Sequence, residues 1–489
     1  MSEDSSRRDT PLRVAIVGAG PAGFYAAVEL LRDPRFTVKI DMFDRLPTPF
    51  GLVRHGVAPD HEKIRSVTRF YAGGVEGRTV HYRMFGNVEL GRDLDLRDLR
   101  QRYHAVILAI GAQSDRRLDI PGEELRGVHP ASAFVAWYNG HPDFADARFD
   151  LSVDKVVVVG HGNVALDVCR MLCRTPEELG RTDTADHALP GLGSNCVREI
   201  VLLGRSGPAQ AAYTPQEFKE LTELSEADLV VSDEDREIHP ITRKAWEAEE
   251  LDPLRAKNLQ IALDSARREA RPGKKTIRLR FHCTPIEILG QQDRVVGLRV
   301  RRNRQVERDG AVVIEPTDQI EDIECGAIFR SIGYRIAPIE GVPFELDKNQ
   351  IPNDKGQVLI TSGGPPVPGM FVTGWAKRGP SGIIGTNKPD ALETVTQLLD
   401  AWQAGALPEP AAVVSGGEIE ALLDRNGVQY VTYSDWKLLD QLEVQSGQAE
   451  GRPRRKFTDV PTMLRAIGDA RLSTIRDQQI VSTAGQGKG

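Results

Sequence analysis

The chain alternates strand-sized apolar runs with stretches of helical periodicity. Arg13 to Val17 reads as a short apolar strand, which Gly18, Gly20 and Gly23 turn into a helix running to about Leu31. Val38 to Phe43 is the next strand. A loop carrying Pro47, Pro49 and Pro59 follows, then a helix near Asp60 to Tyr71. Ala105 to Ala109 is another buried strand, closed by Gly111. A second block opens with Lys155 to Val159 and Gly160 and continues into a helix over Asn163 to Cys173. Strands that alternate with helices at this spacing predict α/β architecture, with parallel sheets covered on both faces. From about Thr276 to Phe329 the runs shorten and alternate, predicting antiparallel strands added to the second block. An amphipathic helix is expected from Ala391 to Trp402, and short helices and loops from about Gly416 to Gly489.

Composition narrows the class. The 489 residues carry 63 Lys and Arg against 70 Asp and Glu, a net charge of −7, with 40% hydrophobic residues. This balance excludes a disordered chain or a fibre, and it argues against an electrostatic nucleic-acid binder. The longest apolar runs, such as Val156 to Val159, are far short of the roughly 18–20 residues of a membrane helix. Met1 to Thr10 is polar, and five cysteines without a CxxC fit a reducing compartment. A cytoplasmic protein without a membrane span is the expectation.

The glycine turns carry the chemistry. The first reads Gly18-Ala19-Gly20-Pro21-Ala22-Gly23, between a strand and a helix. In such a dinucleotide fingerprint the first glycine makes the tight turn, the second admits the pyrophosphate, and the third lets helix and strand pack closely. The phosphates then rest on the unpaired N–H groups of the helix start. Asp44 follows the second strand about twenty residues on, where a carboxylate accepts from a ribose hydroxyl. The second fingerprint reads Gly160-His161-Gly162-Asn163-Val164-Ala165, with alanine in the third position. After its next strand, Glu199 to Leu203, the acid is replaced by Arg205-Ser206, and an arginine there pairs with a 2′-phosphate. One site suits an ADP moiety without a 2′-phosphate and the other suits NADP(H). The pair implies a flavoprotein, with FAD resident in the first site and NADPH as substrate in the second.

With these residues in place, GAGPAGFYAA, GLVRHGVAPDH, GHGNVALDVCR and GWAKRGPSGIIGTNK together resemble the ferredoxin–NADP⁺ reductases of the adrenodoxin-reductase type. The resemblance runs from about Pro11 to the RPRRKF segment. It implies a glutathione-reductase-like fold of two Rossmann-like domains, the NADP domain inserted in the FAD domain. The expected boundaries are residues 11–112 and 356–489 for FAD, the latter with a C-terminal extension, and 113–355 for NADP. Carried over, it assigns Gly18, Ala22, Asp44, Leu52 and Val88 to FAD, with Trp375 and Gly382, Ile383 and Ile384 at the isoalloxazine end. It assigns Arg116, Asn163, Val164, Arg205, Glu217 and Gly382 to NADP, and places His61 and Glu220 near the nicotinamide and flavin as the catalytic pair. Members usually carry two adjacent arginines where this chain has Arg205-Ser206, so a weaker margin for NADPH over NADH is expected. The implied activity moves electrons between NADPH and an iron–sulfur ferredoxin, by hydride on one side and single electrons on the other.

Other features are read more plainly. Cys169 and Cys173 share a helix face and are taken as core. With no cysteine cluster, no metal or iron–sulfur site is read in this chain. The basic runs Arg299–Arg304, Arg267–Lys275 and Arg452–Lys456 are read first as solvated faces, with a docking patch for an acidic ferredoxin as the alternative. Rival functions are a small-molecule or other protein-acceptor reductase and a non-catalytic nucleotide-binding protein.

Overall fold

The computed structural model describes residues 11–264, 269–411 and 417–486, with side chains through residue 473. The chain forms two compact units. One comprises residues up to Val57, His61–Ser114 and everything from Tyr334 onward. The other comprises Ala58–Asp60 and Asp115–Gly333.

The first unit is built on a seven-stranded sheet. Its interior strand Leu12–Val17 is buried at every position but one. It pairs in parallel with Val38–Asp44 on one side and Ala105–Leu108 on the other. Such continuous apolar runs mark strands covered on both faces. Tyr82–Gly86 extends the sheet beyond Val38–Asp44, and Pro366–Val372 extends it beyond Ala105–Leu108, both in parallel. Pro21 starts the helix Pro21–Arg32, where its missing N–H costs no hydrogen bond. The helix Asn387–Gln403 brackets the expected span and buries Ala391, Val395, Leu398 and Trp402.

The second unit holds a six-stranded, wholly parallel sheet in the order Val128–Pro130, Ala327–Arg330, Lys155–Val159, Glu199–Leu203, Lys275–Arg280, Ala227–Val231. Lys155–Val159 and the helix Asn163–Cys173 coincide with the expected spans.

The structure corrects several expectations. Ile277–Phe281 lies mostly in this parallel sheet, and only Cys283–Gln291, Arg294–Arg308 and Ala311–Glu324 form an antiparallel layer. Apolar alternation alone does not distinguish the two pairings. Residues 334–355 join the first unit, not the second: Val342 and Ile351 pack with Val358, Met370 and Val372, and the Ile351 amide donates to the Ala376 carbonyl at 2.8 Å. The helix near Asp60–Tyr71 is two helices, Glu62–Arg65 and Val67–Val75, parted at Ser66. The C-terminal stretch contains long helices, Tyr433–Ala449 and Val460–Gln486, besides the short Glu418–Arg425.

Candidate functional site

In the first unit the glycine loop lies at the carboxyl ends of the parallel strands. Gly18 has φ +108°, and a methyl group there would lie 2.3 Å from the Ala109 carbonyl oxygen, so only glycine makes this turn. Gly20 is different: a methyl group on it would meet no described atom within 4 Å. Gly20 caps the helix Pro21–Arg32 with no side-chain cap and no acid in the first turn, leaving N–H groups for an anion. Open space at the middle glycine and an uncapped helix start fit a pyrophosphate.

Several of the expected residues lie beside this loop. Asp44 accepts from the Ala19 amide at 2.7 Å and the Leu46 amide at 2.9 Å. Burial raises its carboxyl above the ordinary range, against the lowering effect of those two amides. Each of its oxygens keeps a second acceptor direction for a ribose hydroxyl. The Val88 amide donates to the Asp44 carbonyl at 2.8 Å, and the Phe50 amide to the Ala19 carbonyl at 2.7 Å, which brings Leu52 alongside. Gly374 abuts Ala22, a methyl group on it falling 2.6 Å from the Ala22 side chain, so Trp375 borders the same helix start. The Trp375 ring lies 4.9 Å from that of Tyr334, and its Nε1 donates to the Ser381 carbonyl at 3.1 Å. Gly382 and Ile383 are exposed, and Ile384 opens the short turn that leads into Asn387–Gln403. His61 is buried and sits immediately before the helix Glu62–Arg65.

The second unit repeats the device. Gly160 has φ +128°, and a methyl group there would meet the Ser331 carbonyl oxygen at 2.1 Å, whereas one on Gly162 meets no described atom within 4 Å. The helix Asn163–Cys173 again starts without a side-chain cap. Asn163 accepts from the Thr214 amide at 2.8 Å, which leaves its amide group available, and Val164 packs against the core. The His161 ring turns away from the loop opening. Its Nε2 lies 3.2 Å from the Leu202 carbonyl and its ring 4.9 Å from that of Phe281, and burial lowers its pKa to about 4. His161 therefore offers a nucleotide its backbone. Arg205 is exposed at the strand end, its carbonyl accepting from Asn303, with Ser206 half-buried beside it. The Arg116 amide donates to the Gly333 carbonyl at 2.9 Å, at the same end of the sheet.

A buried ionic cluster carries no local sequence pattern. Arg170 is fully buried, and its guanidinium meets Asp60 at 2.7 Å, Asp167 at 2.6 Å, Glu217 at 3.5 Å and Glu220 at 3.7 Å. Arg174 adds a second cation on Asp60 at 3.0 Å. Glu217 and Glu220, one buried and one half-buried on the helix Pro215–Thr222, thus take their positions from a cation inside the unit. The signal is an arginine in a mostly apolar helix, three residues after Asp167. Asp60, at the start of an expected helix, gives its carboxylate to Arg170 instead.

Cys169 and Cys173 are buried in the core, and burial pushes the Cys173 thiol up to about 12. Arg299 pairs with Glu287 and Asp322, Arg302 with Asp235, and Arg304 with Glu315. Arg271 pairs with Asp228 and Lys274 with Glu226, while Arg267 lies outside the described residues. Arg452 and Lys456 are buried, and Arg454 pairs with Asp440 and Glu443.

A model of the pyridine nucleotide-disulphide oxidoreductases matches residues 12–201. The chain is 40% identical over 472 residues to a probable ferredoxin/ferredoxin–NADP reductase of Mycobacterium tuberculosis, covering 96% of this chain and 78% of that protein. It is 40% identical over 473 residues to the human mitochondrial NADPH:adrenodoxin oxidoreductase, covering 95% and 93%. The solved structure of Mycobacterium tuberculosis FprA in complex with NADPH superposes with a TM-score of 0.87 at 39% identity, covering 94% of this chain and 100% of that one. Near-complete coverage at this identity, on two glycine loops of the same build, places the chain in the family of adrenodoxin-reductase-type ferredoxin–NADP⁺ reductases.

Proposed function

We propose that this protein is an FAD-dependent reductase that moves electrons between NADPH and a ferredoxin-type iron–sulfur protein. The carrying observation is the doubled glycine loop with opposite charges after it, Asp44 beside the first and Arg205 beside the second. Bound FAD supplies the exchange between a two-electron hydride and single electrons. The chain's own residues bind and orient. Gly18–Gly23 receives the FAD pyrophosphate on helix N–H groups, Asp44 accepts from the ribose, and Leu52 and Val88 line the same site. Trp375 and Gly382–Ile384 flank the ring, ahead of a helix whose positive end favours negative charge there.

Gly160, Gly162, Asn163 and Val164 receive the NADPH pyrophosphate, and Arg205 with Ser206 takes the 2′-phosphate. Arg116, at the same strand ends, and Glu217 contribute to this site. His61 and Glu220 are the groups we assign to nicotinamide positioning or proton movement. No helix among the described residues is long and apolar enough to cross a membrane. Five free cysteines support a cytoplasmic location.

The test is anaerobic titration of the purified protein. A yellow protein whose visible flavin absorbance is lost with NADPH, and less readily with NADH, supports the reading. A colourless protein that binds no FAD contradicts it.

A further inference from the structure

The helix Tyr433–Ala449, from the C-terminal stretch, reaches the turn that abuts the first glycine loop. Phe50 has φ +81° and Gly51 φ +48°. A bulky residue in the left-handed region persists only where its surroundings over-determine it. On one side the Phe50 amide is held by the Ala19 carbonyl at 2.7 Å, and Gly51 packs so closely that a methyl group on it would lie 3.0 Å from the Gly20 backbone. On the other side stands the helix Tyr433–Ala449. Trp436 sets its ring edge-on to Phe50 at 5.9 Å and face-on to the Arg54 guanidinium at 5.1 Å. Glu443, fully buried, accepts from both Arg54 terminal nitrogens at 2.9 and 2.5 Å. The Arg54 amide closes the turn onto the Gly51 carbonyl at 3.0 Å, and Lys456 caps the Arg54 carbonyl.

We propose that the helix Tyr433–Ala449 braces the flavin site, with Glu443 and Trp436 as positioning residues acting through the Phe50–Arg54 turn on Leu52 and the glycine loop. This rests on the reading that the first loop holds FAD. The electrostatics favour a fixed geometry, since a bidentate guanidinium–carboxylate pair specifies both orientation and distance.

The test uses the full-length holoprotein. FAD dissociation constants, the visible flavin spectrum and unfolding temperatures are compared for Glu443→Gln, Glu443→Asp and Asp41→Asn. The last removes a carboxylate that Arg83 grips bidentately at 2.7 Å in the same unit, away from the turn. The expected result is FAD binding weakened about tenfold or more and a shifted flavin spectrum in Glu443→Gln, with partial recovery in Glu443→Asp. Asp41→Asn should lower the unfolding temperature and leave the FAD constant unchanged. FAD loss that tracks unfolding temperature equally in Glu443→Gln and Asp41→Asn, or an unchanged FAD constant in Glu443→Gln, overturns the brace. Should Glu443→Gln not fold, Trp436→Phe reads the same property, with weakened FAD expected and unchanged FAD contradicting it. A wild-type protein that binds no FAD would sink the flavin reading itself.

Discussion

Arg170 grips both carboxylate oxygens of Asp60, Nε to Oδ2 at 2.7 Å and Nη2 to Oδ1 at 3.1 Å, from a fully buried position. The same guanidinium faces Asp167, Glu217 and Glu220, so a single interior cation holds together acids that the sequence scatters over 160 residues. Removing one partner from a buried ionic cluster costs about 3–5 kcal/mol, because the remaining charges stay desolvated. Arg170→Met should lower the unfolding free energy by that amount in urea titrations, and Arg170→Lys by less. A loss under about 1 kcal/mol would show that the cluster is well solvated.

The two middle glycines separate folding from binding. A methyl group on Gly20 or Gly162 meets no described atom, and both residues have ordinary negative φ. Gly20→Ala should keep stability within about 0.5 kcal/mol while losing FAD. Gly162→Ala should keep its FAD and raise the Michaelis constant for NADPH. Gly18→Ala, which drives a methyl group into the Ala109 carbonyl, should fail to accumulate as folded protein. Visible spectra and thermal melts of the three variants check this. Full FAD occupancy in Gly20→Ala would contradict the placement of the pyrophosphate.

On the proposed reading, coenzyme choice falls to Arg205 and its neighbour. A charged hydrogen bond contributes about 1.5–3 kcal/mol, or roughly ten- to a hundredfold in affinity. Arg205→Ala should raise the Michaelis constant for NADPH by that factor and scarcely change that for NADH. Ser206→Arg should widen the preference. Equal effects on the two coenzymes would remove Arg205 from the 2′-phosphate site.

His129 gives the second unit a pH signature. Its ring lies between Phe149 and Phe329 at 5.0 and 5.6 Å, and burial, reinforced by the Arg330 charge, lowers its pKa from 6.5 to about 4. The unfolded chain therefore binds a proton that the folded unit refuses. The stability is fully present above the unfolded value and is lost as pH falls from about 6.5 to about 4. The slope is about 1.4 kcal/mol per pH unit for one proton. His129→Phe should remove that share of the acid sensitivity, read as the wild-type-minus-variant difference in urea unfolding at pH 7 and pH 5. A pH-independent difference would contradict the assigned shift.

Both glycine loops were legible in the sequence because their strand, turn and helix signals are local and agree with one another. Lys155–Val159 and Asn163–Cys173 lie where the pattern puts them. The boundary near residue 355 was not legible, since the choice for residues 334–355 is made by packing of Val342 and Ile351 against a sheet formed elsewhere in the chain. Nor was the ionic cluster: Asp60 looks like a helix cap until Arg170 arrives from 110 residues away. The RPRRKF run looks like surface charge, yet Arg452 and Lys456 are buried and the Phe457 amide donates to Glu443 at 3.0 Å. Long-range pairing decided each of these cases, and single-sequence pattern does not contain it.

Electron passage from NADPH through FAD to an iron–sulfur protein is tested most directly by anaerobic stopped-flow, mixing the enzyme with NADPH and a two-iron ferredoxin. The account predicts rapid loss of flavin absorbance followed by reduction of the ferredoxin. Loss of flavin absorbance with no transfer to any ferredoxin tried would contradict it and leave a reductase for a small molecule or a different protein acceptor.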